Sequence, residues 1–302
     1  VNRRPRAAGP LRPRLRGSEG RQAELVLAGL ASFSLLVLGL IFLFLLRESL
    51  PLFKHYPLPA FLTGTEWQPT STNVRFGLIP LFTGTVVVTF GAAVISVPLA
   101  LGVALFVSEV APRRVRELLK PCLELLAAIP SVVYGFIGLL VLSDWIKGAF
   151  GLDSGLCALN GSILLAVMAL PTMVTLSEDA LRAVPESYRH ASLAMGASRW
   201  ETMVHVTLPS ARSGILAAMM LGLGRVIGET MTVLMVTGNA AHISFSLLDS
   251  VRTMTATIAA EMAECPWGTP HYHALFAVGT TLFLMTFAVN AAADVLLRKE
   301  VR

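Results

Sequence analysis

The sequence predicts an all-α integral membrane protein with six transmembrane helices, and three observations carry that prediction. Of 302 residues, 54% are hydrophobic and only 14% charged, against the roughly 25% charged share of a soluble domain. Apolar runs long enough to cross about 30 Å of hydrocarbon recur along the chain. Basic residues gather in alternate connections: residues 1–24, Arg113 to Lys120, Arg189 to Arg212 and the C-terminus, whereas the other connections hold Arg47, Lys54, Arg75, Lys147 and Arg252. By the positive-inside rule both termini are then cytoplasmic, which an even number of spans permits.

Residues 1–24, rich in Arg, Pro and Gly, predict a basic disordered cytoplasmic arm beside anionic lipid, a simpler reading of the +5 formal charge than nucleic-acid binding. The run 25–46 is too long for a signal-peptide core and is expected to be the first transmembrane helix, a signal anchor. Residues 47–80 form a periplasmic segment in which Pro51, Pro57, Pro59 and Pro69 exclude a long helix. A core of five spans follows over 81–297, closed by a short cytoplasmic tail, 298–302. Its spans are expected from Phe82 to Val107 with Pro98 inside, and from Cys122 to Leu142 with Glu124 near the inner end and Pro130 in the body. The remaining spans run from Ile163 to Ala180 with a kink at Pro171, from Ile215 to Val236, and from Ala274 to Leu297. Before the last span, Leu247, Leu248, Val251, Met254, Ile258 and Met262 share one helical face, predicting an amphipathic helix along the outer surface, either gating or merely interfacial.

Cys122, Cys157 and Cys265 form no C-x-x-C pair, so neither zinc nor redox chemistry is expected, although Cys157 and Cys265 both fall outside, where a disulfide is permitted. His271 and His273 lack a third ligand, and no metal site is proposed.

Two stretches carry more pattern than connections or spans require. From Val184 to Ile215 the charges Arg189, Arg199, Glu201 and Arg212 exclude burial in hydrocarbon, yet Ala191, Leu193, Ala194, Ala197, Trp200, Met203 and Val204 recur at helical spacing. This predicts a short helix, a bend at Gly196-Ala197-Ser198, and a second short helix stopped by Leu208-Pro209. In LGLGRVIGETMTV, Arg225 and Glu229 lie one turn apart inside the fifth span, sharing a helix face. Each charge there costs about 2.5–3.5 kcal/mol on insertion scales, so both must face protein or water. Gly224 and Gly228 form a small-xxx-small pair that lets another helix approach. The charges fit either an internal salt bridge that steadies packing or an anion route. In the second case the fixed guanidinium donors of Arg225 suit a tetrahedral oxyanion. Glu229 would then orient Arg225 and accept a proton from a protonated anion oxygen.

The run HASLAMGASRWETMVHVTLPSARSGI resembles the cytoplasmic coupling motif of permease subunits in binding-protein-dependent ABC importers. Ala191, Gly196, Ala197, Leu208, Pro209, Gly214 and Ile215 match the motif, while His190 stands where a Glu is usual. Together with LLAAIPSVVYGFIGL from Leu125, LGLGRVIGETMTV from Leu221 and the TEWQP segment from Thr65, the chain resembles PstC-type permease subunits of bacterial phosphate importers. The resemblance implies a type I ABC importer permease fold with a cytoplasmic coupling helix, multi-pass in the bacterial inner membrane. It implies Arg225 and Glu229 as the translocation pair, Arg189, His190, Ala191, Gly196, Ala197 and Trp200 at the ATPase contact, and Glu124, Ser131 and Tyr134 as gate or packing residues. The implied partners are a homologous second permease, an ATPase dimer holding ATP and Mg, and an external phosphate-binding protein.

Carrying an anion inward against a negative-inside potential costs about 2.3 kcal/mol per charge per 100 mV. No lysine here follows the G-x-x-x-x-G-K-[ST] spacing, so the chain is expected to be no enzyme and to bind no cofactor itself, with the work supplied by a partner. A permease for another tetrahedral oxyanion and the sister permease of the same complex remain open. So does a secondary anion transporter, which would need no patterned docking helix.

Overall fold

The computed structural model describes residues 18–300, with side chains described for 24–293 and 295. Residues 1–17, most of the predicted basic arm, and 301–302 lie outside the described residues. Among the described residues, six helical elements are long and apolar enough to cross a membrane: 24–54, 79–110, 131–150, 158–182, 199–228 and 270–293.

Helix α1, Ser18–Ser49, begins inside the stretch assigned to the arm, because Glu19, Arg21, Gln22 and Ala23 are good helix formers. A 3-10 turn, Leu50–Lys54, and α2, Leu58–Thr63, each carry proline in the first turn, where a missing N–H costs no helical bond. Strands β1, Trp67–Gln68, and β2, Arg75–Phe76, pair antiparallel with Trp67 opposite Phe76. Helix α3, Ile79–Leu105, continues as a π-helical stretch, Phe106–Val110.

The third span differs from expectation. The supposed basic turn is the start of an amphipathic helix, α4, Arg113–Ala128, which buries none of its residues and contains Cys122 and Glu124. Proline disfavours the α conformation in the residue before it, and Ile129 is indeed extended, so the chain breaks there. The span proper is α5, Ser131–Ile137, a π-helical stretch Gly138–Leu142, and α6, Ser143–Phe150. After α7, Ala158–Arg182, come α8, Glu186–Ala194, and α9, Arg199–Thr202. Leu208-Pro209 does not stop the helix as the sequence suggested. A π-helical stretch, Met203–Thr207, shifts the hydrogen-bond register, and Pro209 then falls in the first turn of α10, Leu208–Gly228. The fifth span breaks after Gly228 and resumes as α11, Met231–Val236. Helix α12, Met254–Glu261, and α13, Pro270–Glu300, complete the chain.

Helices α3, α7 and α10 form the centre, with Val88, Ala92, Leu165, Ala169, Met173, Ala211 and Met219 buried among them. Close approach occurs where side chains are small: Gly91 faces Ser162, Gly214 faces Ala180 and Gly222 faces Met173. The expected pair Gly224 and Gly228 is not that contact, since Gly224 lies beside Asn290 and Gly228 has nothing close to it. Helix α1 packs along α13 through Phe42 with Phe283 and Phe44 with Phe276, leaving Leu35, Leu36 and Leu40 exposed on a face suited to lipid.

A second cluster, Leu52, Phe61, Trp67, Phe76, Leu81, Met254 and Leu275, closes the hairpin end. Here the predicted surface helix over 247–262 is corrected. Only Met254–Glu261 is helical, and Met254 to Thr257 are buried rather than laid on the surface. The helix is held inward through Glu261, whose carboxylate accepts from Arg252 Nη1 at 2.6 Å, His271 Nε2 at 2.8 Å and Trp67 Nε1 at 3.1 Å. His271 Nε2 is thereby committed to Glu261, and His273 Nδ1 lies 2.7 Å from the Glu48 carbonyl. The disulfide admitted from topology does not form: Cys157 is buried and free, and Cys265 is free beside Thr269 Oγ1 at 3.4 Å.

A side chain at Gly84 on α3 would collide with the carbonyl of Arg252, a backbone atom that cannot rotate away. Gly84→Val is expected to destabilise the hairpin end by about 1–3 kcal/mol, the usual cost of overpacking. A lowered thermal unfolding midpoint of the detergent-solubilised protein measures it.

Candidate functional site

Two helix breaks meet. One lies at Ile129-Pro130, where α4 ends and the third span begins, the other at Glu229-Thr230, where the fifth span's helix ends and Glu229 is extended at φ −69° and ψ 135°. Each break leaves backbone groups without helical partners, and side chains supply them. Tyr134 Oη, buried, donates to Leu126 O at 2.8 Å, closing the open end of α4. Thr232 Oγ1 donates to Ser131 O at 3.0 Å, joining the two breaks. Thr255 Oγ1, from α12, donates to Glu229 O at 2.7 Å. The Glu229 carboxylate turns back to accept from Thr232 N at 3.2 Å, capping α11 with negative charge at its N-terminal end.

This geometry corrects the expected one-turn pairing of Arg225 and Glu229. The helix ends at Gly228, just before Glu229, whose carboxylate turns to Thr232, and among the described residues no ion pair joins the two. Arg225 occupies the last turn of α10, exposed on this chain, with Nη1 3.5 Å from Thr172 Oγ1 on α7. Among the described residues, threonines 83, 85, 280, 281 and 286 turn their hydroxyls onto carbonyls of their own helix, whereas Thr89, Thr172 and Thr175 are not tied back in this way. Thr172 keeps its hydroxyl towards Arg225. Glu124 is exposed on α4, whereas Ser131 and Tyr134 stand at the break.

At the far end, α8 and α9 form an elbow. Gly196 turns it with φ +91°, a left-handed conformation that glycine adopts without strain. Ser198 and Glu201 form a capping box at the start of α9, and Ser192 Oγ lies 2.9 Å from Thr202 Oγ1 across the bend. The S-x-x-E spacing was legible in the sequence and was missed. His190, Ala191, Gly196 and Trp200 are exposed, and with Met195, 89% exposed, they make a protruding apolar tip. Ala197 is half-buried inside the bend. Arg189 is not on that tip. It turns inward to Glu109, with Nη2 2.8 Å from Oε1. A cavity between elbow and α3 is lined by Glu109, Arg189, His190, Leu193, Arg199 and Trp200. Glu109, Thr172, Thr232 and Thr255 were not anticipated, because their partners lie far away in sequence.

Bundled apolar helices, with two helix breaks meeting beside an exposed guanidinium and a charged elbow protruding at one end, define a multi-pass membrane permease. A family model described as the binding-protein-dependent transport system inner membrane component matches residues 96–301. The chain belongs to that family and is a transport subunit of the inner membrane. Among curated relatives, it is 39% identical over 227 residues to the probable ABC transporter permease YqgH of Bacillus subtilis, covering 75% of this chain and 74% of that one. It is 36% identical to the phosphate transport system permease PstC of Mesorhizobium japonicum, covering 80% and 78%. It is 34% identical to PstC 2 of Mycobacterium tuberculosis, covering 94% and 92%. Among solved structures, a chain of a bacterial alginate ABC transporter shares the fold with TM-score 0.62 at 16% identity, over 92% of this chain and 96% of that one. A chain of the MetNI methionine transporter does so with TM-score 0.56 at 20% identity, over 75% and 95%.

Thr255→Val keeps the shape but removes the donor to the Glu229 carbonyl. A loss of about 1 kcal/mol is expected, read as a lower unfolding midpoint that Thr255→Ser does not share.

Proposed function

We propose that this chain is a permease subunit of an ATP-driven phosphate importer, forming the translocation route with a homologous second permease. The observation that carries this is the exposed Arg225 at the paired helix breaks, in a chain 36% identical to a phosphate permease over 259 residues. A guanidinium left bare between apolar spans is too costly to face lipid, so this side of α10 meets the second permease across a polar route. Phosphate passing there takes the forked N–H donors of Arg225. Thr172, with its hydroxyl not engaged by its own helix, offers one further donor beside them. Glu229 acts first as the cap that keeps the break open. Its second carboxylate oxygen is left to accept from a protonated phosphate oxygen.

The work comes from outside the chain. An ATPase dimer holding ATP and Mg receives the elbow, with His190, Ala191, Gly196 and Trp200 on the docked surface, and an external binding protein delivers phosphate at the hairpin end. The elbow end, both termini and the basic residues at 113–120 are cytoplasmic. Alternating access follows when nucleotide-driven closure of the ATPase favours one of two arrangements of the spans.

Labelled phosphate uptake into vesicles holding the complete complex, with sulfate and molybdate as competitors, tests the assignment. Arg225→Ala is expected to abolish uptake with the complex still assembled, and Arg225→Lys to restore only part of it, because an ammonium lacks the fork. Normal accumulation in the alanine variant would remove Arg225 from the route. A β-branched residue at Gly196 must adopt a left-handed conformation costing about 1–2 kcal/mol. Gly196→Val is therefore expected to deform the elbow and disconnect ATP hydrolysis from uptake, and uptake per ATP equal to wild type would exclude the docking role.

A further inference from the structure

We infer that the Arg189–Glu109 pair is the joint through which the elbow carries the second span with it, making both residues positioning residues for transport. This rests on the importer assignment above and concerns how motion received at the elbow is distributed within the chain.

The elbow is continuous with only two spans. Helix α8 follows α7 after a short connection, and α9 runs through a π-helical stretch into α10. The second span has no such continuity, yet α3 is the main packing partner of α7 in the core. Its inner end is tied to the elbow by the Arg189 guanidinium. Arg189 Nη2 lies 2.8 Å from Glu109 Oε1, and Nη1 lies 3.3 Å from Oε2, a two-pronged contact that fixes direction as well as distance. The same Nη2 donates to Leu181 O at 3.0 Å, at the end of α7. One side chain therefore ties α8 to two spans at once. The side chains are 25% and 16% exposed, so water screens the pair less than it would a surface contact.

Local backbone geometry explains why the second span needs this tie. Its last turn is the π-helical stretch Phe106–Val110, and the closing bond runs from Ala111 N to Phe106 O. The next carbonyls, Val107 and Ser108, have passed the end of the ladder. Arg116 on α4 takes both, with Nε to Val107 O and Nη2 to Ser108 O at 2.9 Å each. Two arginines from two different helices thus hold the terminus, Arg116 by its backbone and Arg189 by its one carboxylate. Glu109 also stands in the wall of the cavity shared with His190 and Trp200, so the joint lies directly beneath the proposed docked surface.

The test uses the complete complex in proteoliposomes, with phosphate uptake and ATP hydrolysis measured together. Arg189→Gln and Glu109→Gln are each expected to lower phosphate moved per ATP by roughly three- to tenfold, the scale of coupling between contacting residues. Exchanging the charges, Arg189→Glu with Glu109→Arg, is expected to recover part of that ratio. A merely structural role lowers the yield of assembled complex and both rates together, leaving the ratio unchanged, and that result overturns the inference. Crosslinking gives an independent measurement. With Cys122, Cys157 and Cys265 replaced by serine, Glu109→Cys and Arg189→Cys are joined by a short bifunctional thiol reagent. If elbow and second span move as one body, uptake survives the bond; arrest of uptake overturns the inference. Wild-type complex run alongside separates the two claims: ATP-driven phosphate uptake there, with unchanged ratios in the variants, overturns the joint while the importer assignment stands.

Discussion

A chain crossing hydrocarbon finds no water for its backbone, so every interrupted helix must bring its own hydrogen-bond partners. The structure depends on this constraint at one place, where the breaks at Pro130 and Glu229 lie against each other. Tyr134 and Thr232 serve the third span, Thr255 and the Glu229 carboxylate serve the fifth, and Thr232 belongs to both sets by bridging to Ser131 O. Irregular backbone at the end of a span is tolerated only where protein, water or a polar cavity surrounds it. The breaks therefore mark the region in which a polar solute can be accommodated, and Arg225 stands beside them.

The same economy of attachment recurs at both ends. At the hairpin end a single carboxylate, Glu261, gathers Trp67, Arg252 and His271 from three separate segments and draws α12 inward, so that Thr255 reaches Glu229. At the elbow end a single guanidinium, Arg189, gathers α8, α7 and the end of the second span. The central helices, packed at Gly91, Gly214 and Gly222, lie between these two knots. Close small-residue packing resists continuous deformation, so a displacement at one knot is passed on by rigid helices.

The arrangement of spans recurs in transporters for alginate and for methionine at 16–20% identity, so the bundle itself carries no solute preference. Any solute preference must therefore lie in side chains placed on the bundle, such as the Arg225 guanidinium with Thr172 Oγ1 beside it.

How much was legible in the sequence follows the range of each interaction. Composition and runs of apolar residues determined six spans, because transfer into hydrocarbon is summed locally along the chain. Helical spacing around Gly196 determined the elbow, and proline positions determined that no long helix runs through residues 47–80. Local rules failed where a distant group supplies the compensation. Pro209 reads as a stop, yet the π-helical stretch before it absorbs the defect; Glu229 reads as one turn from Arg225, yet Thr255 and Thr232 hold it outside the helix. Helix α12 reads as a surface helix, but Glu261 pins it inside. Nothing in the sequence near Arg189 points to its partner Glu109, 80 residues earlier in the chain. Periodicity records which face of a helix is apolar, whereas only the folded chain decides what meets that face, since such partners are close in space and remote in sequence.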